Sequence, residues 1–393
     1  MKIGIDCRTI LNPGKGEVAG VGHYTFYLVK NLLKLVQDEE IILFFEQFPE
    51  EKVINELLVN KNKVKIKQLP WHQYRRYLPF IYAHLLVPYF LKKEKLDVYY
   101  NPANIIPLGY RCKSVITIHD LAIYRNPDWF PSNIWRNFFS TKILVPRSVE
   151  RAEKIIAVSE STKRDLIDIF GVTENKIKVI YEGVEWGGAE IKSSGYLKEK
   201  YGVGDNYILY LGTLEPRKNI ERLIRVFEEL RIKNPAYRQA DQELREFELV
   251  IAGAKGWKYE KIFRLIDEAN KTLGQEAIKY LGYIPAEDKK SLIGNAKCFV
   301  FPSFYEGFGL PVLEAMSLSV PVVSSRTSSL PEIVGDTGLL IDPNNQEELK
   351  NALVKIMGDE NLKQDLGRKA LERSKQFSWE KCARETLEVL KGI

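Results

Sequence analysis

The chain has 393 residues, of which 45% are hydrophobic and 28% charged, with a formal net charge of +6. That length exceeds one ordinary domain and points to two or three, and the composition excludes a chain dominated by disorder. No apolar run reaches membrane-spanning length, and the cysteines at positions 7, 112, 298 and 382 lack any metal-ligand spacing, so they read as reduced core thiols. Met1-Lys2-Ile3-Gly4-Ile5 reads as strand from its second residue, which leaves no room for a signal peptide and makes a cytoplasmic protein the expectation.

The first element is a buried strand over Ile3 to Asp6, followed by a loop from Asn12 to Gly22 with glycines at 14, 16, 20 and 22, and then by a helix striped with Tyr24, Tyr27, Leu28, Asn31, Leu32 and Leu35. The loop has neither the P-loop pattern nor the G-x-G-x-x-G spacing. It reads as a mobile loop in which Gly20-Val21-Gly22 either touches a substrate or does not. Ile41 to Phe45 and Val64 to Ile66 read as further strands.

From Lys61 to Lys95, seven Lys and two Arg stand against one acid, Glu94, so the local charge is about +8. Trp71, Tyr74, Tyr77, Phe80, Tyr82, Tyr89 and Phe90 are interleaved with these cations. Two readings stand. One is a peripheral contact with an anionic membrane through residues 61–95; the other is a helix pair that packs its aromatics inward and solvates its lysines. No nucleic-acid module accompanies the charge, so no nucleic-acid partner is expected.

Asp97 to Tyr100 and Ser114 to Ile118 are the next strands, the second ending in His119-Asp120. Ligands of open α/β sheets sit outside the carboxyl ends of strands, which makes His119 a candidate, although a lone histidine is more often structural. Ile155 to Val158 leads into a helix capped by Ser159-Glu160-Ser161, and Ile177 to Tyr181 closes this half. Glycines at 183, 187, 188, 195, 202 and 204 then break any long periodicity, and the interdomain linker is placed there.

A second series begins at Tyr207 to Gly212 and continues through Glu248 to Ala252, Ile278 to Tyr283, Lys297 to Phe301 and Pro321 to Ser324. Strands alternating with helices mean parallel sheets, so the fold class is α/β with two doubly wound halves. Arg217 and Lys218 directly follow the first of these strands, where cations could neutralise a diphosphate. The fourth strand runs into Pro302-Ser-Phe-Tyr-Glu-Gly-Phe-Gly-Leu-Pro-Val-Leu-Glu-Ala-Met316, which reads as strand, loop and helix. A glycine-lined helix start favours an anion, and Glu306 and Glu314 flank it as acceptors for hydroxyls; phosphate plus hydroxyls suggests a nucleotide sugar. The tail from Ser378 to Leu390 spaces Trp379, Cys382, Thr386, Leu387 and Leu390 on one helix face. The expected domains are 1–190, 191–376, and a helix at 377–393 packing back towards the N-terminal domain.

Gly212-Thr-Leu-Glu-Pro-Arg-Lys-Asn219, Leu281-Gly-Tyr-Ile-Pro285, Pro302 to Ala315 with its E-x7-E spacing, and Gly338-Leu-Leu-Ile-Asp-Pro343 resemble the retaining glycosyltransferases of family 4. Asp6-Cys7-Arg8, Gly20-Val21-Gly22 and Ile116-Thr-Ile-His-Asp120 resemble the family's first half more loosely. The resemblance implies the GT-B fold, two Rossmann-like domains facing a central cleft, the first binding acceptor and the second the nucleotide sugar. It implies that Glu306 contacts the donor sugar, that Glu314 holds the ribose, and that the Gly307-Phe308-Gly309-Leu310 loop offers N–H groups to phosphate or sugar. Arg217 and Lys218 would stabilise the leaving diphosphate, with Gly22 approaching it and His119 lying near the sugar. Gly253, Tyr283 and Ile284 would line the base. Thr213 stands where some relatives carry a further Arg, so one cation is missing from that pattern.

No D-x-D carboxylate pair was found, and the resemblance implies metal-independent chemistry, with no cofactor beyond the nucleoside diphosphate sugar as co-substrate. The mannosyltransferase branch makes GDP-mannose the first expectation and a UDP-hexose the second; the acceptor would be a lipid-linked glycan, a polysaccharide end or a small metabolite, with the protein cytoplasmic or peripheral at the inner membrane face. The competing readings are a nucleotide-sugar epimerase of the same fold and a non-catalytic sugar-nucleotide-binding protein.

Overall fold

The computed structural model describes residues 1–10, 20–57, 63–70, 77–131, 139–186, 190–232 and 247–393. Gly14, Lys15 and Gly16 of the first loop, Lys61, Trp71, Tyr74, Arg75 and Arg76 of the basic stretch, and Gly187 and Gly188 of the proposed linker lie outside the described residues. The chain groups into two compact units. The first is Met1–Arg125, Ser132–Gly183 and Ser378–Ile393; the second is Asn126–Pro131 and Val184–Phe377.

The first unit is built on a parallel sheet of β1 (Lys2–Asp6), β2 (Glu40–Phe45), β3 (Val64–Gln68), β4 (Val98–Asn101), β5 (Ser114–Ile118), β6 (Lys154–Ala157) and β7 (Ile177–Val179), in the order β3-β2-β1-β4-β5-β6-β7. Its central strands are apolar without alternation because both faces are covered. Ile3, Ile5, Ile41, Leu43, Val115 and Ile118 are all fully buried. The helix Val21–Leu35 buries Tyr24, Leu28, Asn31 and Leu32, four of the six positions of its sequence stripe. Against it packs the helix Trp379–Lys391, whose buried face carries Trp379, Cys382, Thr386, Leu387 and Leu390. Trp379 stacks on Tyr27 with ring centroids 5.7 Å apart and meets Tyr24 edge-on. Ser378 caps this helix by accepting the Lys381 N–H at 3.2 Å. The terminal element thus belongs to the unit formed by the start of the chain.

In the basic-aromatic stretch some of the large side chains are buried and others exposed. Tyr82, Val87 and Leu91 join a buried cluster with Phe44 and Tyr99, whereas Tyr77, Phe80, Ile81, Leu85 and Tyr89 are exposed. Within it the turn Tyr82–Leu86 is π-helical, directly before Pro88. Pro88 has no N–H to give the carbonyl of His84, and that oxygen accepts from Gly109 N–H instead. Among the described residues no helix is long and apolar enough to cross a membrane.

The second unit has the parallel sheet β8 (Tyr207–Leu211), β9 (Glu248–Ala252), β10 (Ile278–Gly282), β11 (Cys298–Phe301), β12 (Val322–Ser325) and β13 (Leu339–Ile341), ordered β10-β9-β8-β11-β12-β13. Residues 126–131, from the N-terminal half of the sequence, group here because Trp129 stacks on Phe304 at 6.0 Å and its carbonyl accepts Trp257 Nε1–H at 2.5 Å. The glycine-rich stretch read as linker contains a helix, Ser194–Tyr201, capped by Ser193 and closed by left-handed Gly202. This helix is tied down by the fully buried Asp288, which accepts from Lys192 at 2.7 Å, Tyr196 at 3.0 Å, Lys200 at 2.5 Å and Tyr201 at 2.6 Å. Burial alone would raise the Asp288 carboxyl, but these four donors hold it far below the carboxylate range.

Candidate active site

In the second sheet the strand order reverses between β8 and β11, and such a reversal opens a crevice outside the carboxyl ends of the strands. The side chains that follow these two strands meet there. β8 ends at Leu211, and after Gly212 a single 3-10 turn, Pro216–Lys218, aims two cations at the crevice before left-handed Asn219 starts the helix Ile220–Arg231. Asn219 fixes the turn by donating to the carbonyls of Pro302 at 3.1 Å and Pro343 at 2.8 Å. From β11 comes the loop that carries Glu306. The two loops are sewn together by Phe304 N–H to the Arg217 carbonyl, 2.8 Å.

The centre of the site is a buried ion cluster. Lys218 Nζ lies 2.6 Å from Glu306 Oε1, and Arg217 Nη1 lies 3.8 Å from Glu306 Oε2. Arg217 is oriented by Glu215, whose carboxylate accepts from its Nε, and by the Tyr305 carbonyl. Lys218 also sits over the Phe301 ring, 5.1 Å from its centroid. Burial works to raise the Glu306 carboxyl, but Lys218 and then Arg217 outweigh it, so its pKa stays below the usual carboxylate value. The Glu306 backbone is held by Ser328, which accepts its N–H at 2.8 Å, and by Ser329, which donates to its carbonyl at 3.0 Å and to that of Phe308 at 2.6 Å.

Beyond Gly307 and the buried Phe308, Gly309 adopts φ 119°, a backbone region that L side chains rarely occupy, and starts the helix Leu310–Ser317 with Pro311 in its first turn. Among the described residues no side chain caps that turn. On the same helix Glu314 is buried; its Oε1 accepts from Lys289 at 2.5 Å, while its Oε2 is buried with no hydrogen-bond partner among the described residues. That oxygen is an open acceptor. Of three adjacent strands, β8 and β9 are followed directly by Gly212 and Gly253, and β10 ends in Gly282. A Cβ on Gly253, at φ 136°, would fall 2.0 Å from the Gly212 carbonyl oxygen, so only glycine fits. Gly253 N–H donates to Gly282 and its carbonyl accepts from Tyr280, so what it offers a ligand is close approach. After β10, Tyr283 is half exposed and Ile284 is buried.

The remaining candidates lie in the first unit. His119 follows β5; its Nε2 donates to the Pro102 carbonyl at 2.8 Å and its Nδ1 stands 3.6 Å from buried Glu182, with Tyr24 edge-on to the ring. The carbonyl can only accept, so Nε2 carries a proton. Gly22 lies inside the helix Val21–Leu35 at a place where a Cβ would come 2.6 Å from the Thr9 carbonyl, which is a packing reason for glycine.

Sequence reasoning missed several partners in these sites. Lys289 carries no motif, Glu215 stands inside the Gly212–Asn219 motif without a role of its own, Ser328 and Ser329 lie in an unremarked turn, and Glu182 borders the glycine-rich stretch.

Residues 18–185 match a family model described as Glycosyltransferase Family 4, and residues 197–373 match one described as Glycosyl transferases group 1. The chain is 31% identical over 396 residues to the O-antigen chain mannosyltransferase B of Escherichia coli, covering 96% of this chain and 97% of that one. It is 30% identical over 297 residues to the serotype-specific mannosyltransferase WbdA of Escherichia coli, covering 73% of this chain and 34% of that longer protein. Among solved structures, sucrose-phosphate synthase from Thermosynechococcus elongatus aligns with a TM-score of 0.72 at 19% identity over 100% of this chain and 98% of its own. Anabaena HepE in complex with UDP and glucose gives the same TM-score and identity over 100% of both chains. At that identity these structures speak for the fold alone.

Proposed function

The chain belongs to glycosyltransferase family 4, and on that premise we propose that it is a retaining mannosyltransferase, moving mannose from GDP-mannose to a hydroxyl of a growing glycan or polysaccharide. The observation that carries the reading is the buried Arg217–Lys218–Glu306 cluster at the sheet reversal. Without donor, the carboxylate balances the two cations. With donor, the diphosphate oxygens meet the same cations, and Glu306 is left to accept hydrogen bonds from sugar hydroxyls. The near full-length likeness to an O-antigen mannosyltransferase supports mannose as the sugar and a polysaccharide as the destination.

In the reaction the bond from the anomeric carbon to the β-phosphate oxygen breaks first, with its electron pair leaving on the diphosphate. Charge develops on that oxygen, and Arg217 and Lys218 are already fixed beside it, so no reorganisation is needed as it forms. The acceptor oxygen bonds to the anomeric carbon from the face the phosphate vacates, and its proton passes to the departing phosphate oxygen. The two cations take the part a metal plays elsewhere, and the nucleotide sugar is the co-substrate. Glu314 Oε2 accepts from the ribose hydroxyls while Lys289 pins Oε1. Roles for Gly22 and His119 rest on the family resemblance.

Incubation with GDP-mannose and a mannoside acceptor, followed by proton NMR of the product, is expected to give GDP and a new α-mannosyl linkage. A β linkage would overturn retention, and transfer from UDP-glucose but not from GDP-mannose would overturn the donor. An isomerised nucleotide sugar formed without acceptor would make the protein an epimerase.

The exposed Phe80, Ile81, Leu85 and Tyr89, with Lys92 and Lys93 beside them, support a peripheral contact at the inner membrane face. Sedimentation with phosphatidylglycerol vesicles is expected and is reduced at least tenfold in F80S/L85S/Y89S. Equal sedimentation of the triple variant would remove that role.

A further inference from the structure

Residues 126–131 stand apart from their neighbours in the chain. Their flanks, up to Arg125 and from Ser132, group with the first unit, whereas Asn126–Pro131 group with the second. Within the segment the 3-10 turn Pro127–Trp129 is capped by Asn126, whose side chain accepts the Asp128 N–H at 3.1 Å, and is closed by Phe130 N–H to the Pro127 carbonyl at 3.0 Å. Trp129 and Phe130 leave this turn as adjacent rings, and each meets a different loop.

Trp129 lies almost parallel to Phe304, with an interplanar angle of 10° and ring centroids 6.0 Å apart, and is tilted against Tyr305 at 6.5 Å. Phe130 stacks on Trp257 at 5.7 Å, the Trp129 carbonyl accepts Trp257 Nε1–H at 2.5 Å, and the Asp128 carbonyl accepts from Lys258 Nζ at 2.8 Å. Lys258 is held at φ 54°, a left-handed conformation uncommon for a residue with a side chain.

Phe304 and Tyr305 follow β11 and run into Glu306, while Trp257 and Lys258 follow β9. In the sheet β9 and β11 lie on either side of β8, whose own loop carries Arg217 and Lys218. Residues 126–131 therefore tie together the two loops that flank the cation turn. Those three loops are also bonded to one another. Leu214 N–H donates to Ala254 at 2.9 Å and Gly256 N–H to Leu214 at 3.1 Å, and Arg217 Nη1 donates to the Tyr305 carbonyl at 3.3 Å. Resting on the reading of the Arg217–Lys218–Glu306 cluster as the reacting site, we propose that Trp129 is a positioning residue for the transfer, bracing the Phe304–Tyr305 segment so that Arg217 and Glu306 keep their geometry.

Ser328 and Ser329 hold the Glu306 backbone, but it is the Tyr305 carbonyl that helps to orient Arg217, and Tyr305 and Phe304 are the residues in ring contact with Trp129. A shift of this segment moves the guanidinium through that carbonyl and the carboxylate through the chain. Preorganised charges are sensitive to such a shift: a misplacement of about 1 Å that originates far from the chemistry can cost about 100-fold in rate.

The test is steady-state kinetics on the full chain with a mannoside acceptor and whichever of GDP-mannose and UDP-glucose it turns over. The variants are Trp129→Ala, Trp129→Phe, Glu306→Gln and the double variant Trp129→Ala/Glu306→Gln. Trp129→Ala is expected to lower kcat about tenfold with both KM values moving less than threefold, and Trp129→Phe, which keeps a ring to stack, to stay within threefold of wild type. In the Glu306→Gln background Trp129→Ala is expected to cost less than threefold, because it acts through a group already removed. Should Trp129→Ala fail to fold, Trp129→Leu, apolar but without a ring, decides. A kcat loss below threefold, an undiminished loss in the Glu306→Gln background, or a raised acceptor KM at unchanged kcat overturns the proposal, the last by making the indole a sugar-stacking surface. If Glu306→Gln itself loses less than tenfold, or if neither nucleotide sugar is turned over, the reading of the cluster falls and this one with it; a loss in Glu306→Gln but not in Trp129→Ala overturns this one alone.

Discussion

Glu306→Gln is expected to lower turnover by about two to three orders of magnitude, the scale for losing one preorganised electrostatic contact. The substitution keeps the shape of the side chain and most of its packing, since the loop is held by Ser328 and Ser329 through the backbone. What it removes is the charge that holds Lys218 and Arg217 in place and the strong acceptor for sugar hydroxyls. Because Lys218 and Arg217 depress the Glu306 pKa against the pull of burial, its ionised form contributes stability that is fully present above about pH 4.5, its unfolded range, and is lost as pH falls through the lower folded value. Single-turnover kinetics with saturating donor measure the effect; a loss below tenfold would remove Glu306 from the chemistry. A glycosyl ester trapped on Glu306 would replace the front-face path by a covalent one.

Trp379→Ala is expected to destabilise the first unit by about 3–5 kcal/mol, the range for deleting a buried large aromatic. The indole is 2% exposed and packs against His23, Tyr24 and Tyr27, so its removal leaves a cavity between two helices. Its Nε1 is buried without a hydrogen-bond partner among the described residues, so Trp379→Phe gives up little polar interaction and should lose less than half as much. Gly183 is bound into the same contact: a Cβ there would fall 2.1 Å from the Trp379 nitrogen. Calorimetry should show an early transition shifted down in Trp379→Ala, with nucleotide binding to the second unit retained. A shift under 1 kcal/mol would mean that the terminal helix is an ornament.

Much of this was legible in the sequence because the parallel strands are apolar on both faces and end in glycine or polar turns. The stripe of Trp379, Cys382, Thr386, Leu387 and Leu390 was legible as well, for a helix packing one face has a period that survives without any tertiary knowledge. Strand β13 was missed because it is three residues long, with Leu339 and Leu340 only half buried. The helix Ser194–Tyr201 was missed because Gly195 and Gly202 read as breakers, although one stands in its first turn and the other is its left-handed cap. At the site, Glu306, Arg217 and Lys218 announced themselves by motif and by position after a strand. Glu215 lies inside the same motif as the Arg217 it orients, whereas Lys289 reaches Glu314 from 25 residues away and no local pattern marks that pair.

Gly183 and Ser378 touch in the folded first unit but are separated by about 195 residues of chain. A ribosome adding about 5–20 residues per second needs about 10–40 s to travel from one to the other. During that interval the sheet of the first unit has been synthesised in full, while the Tyr24 and Tyr27 face of its first helix waits uncovered. The second unit is complete before the first. Newly made chains therefore pass through a lengthy stage with a sticky aromatic strip on show, and slowing translation of the second unit's codons lengthens the exposure.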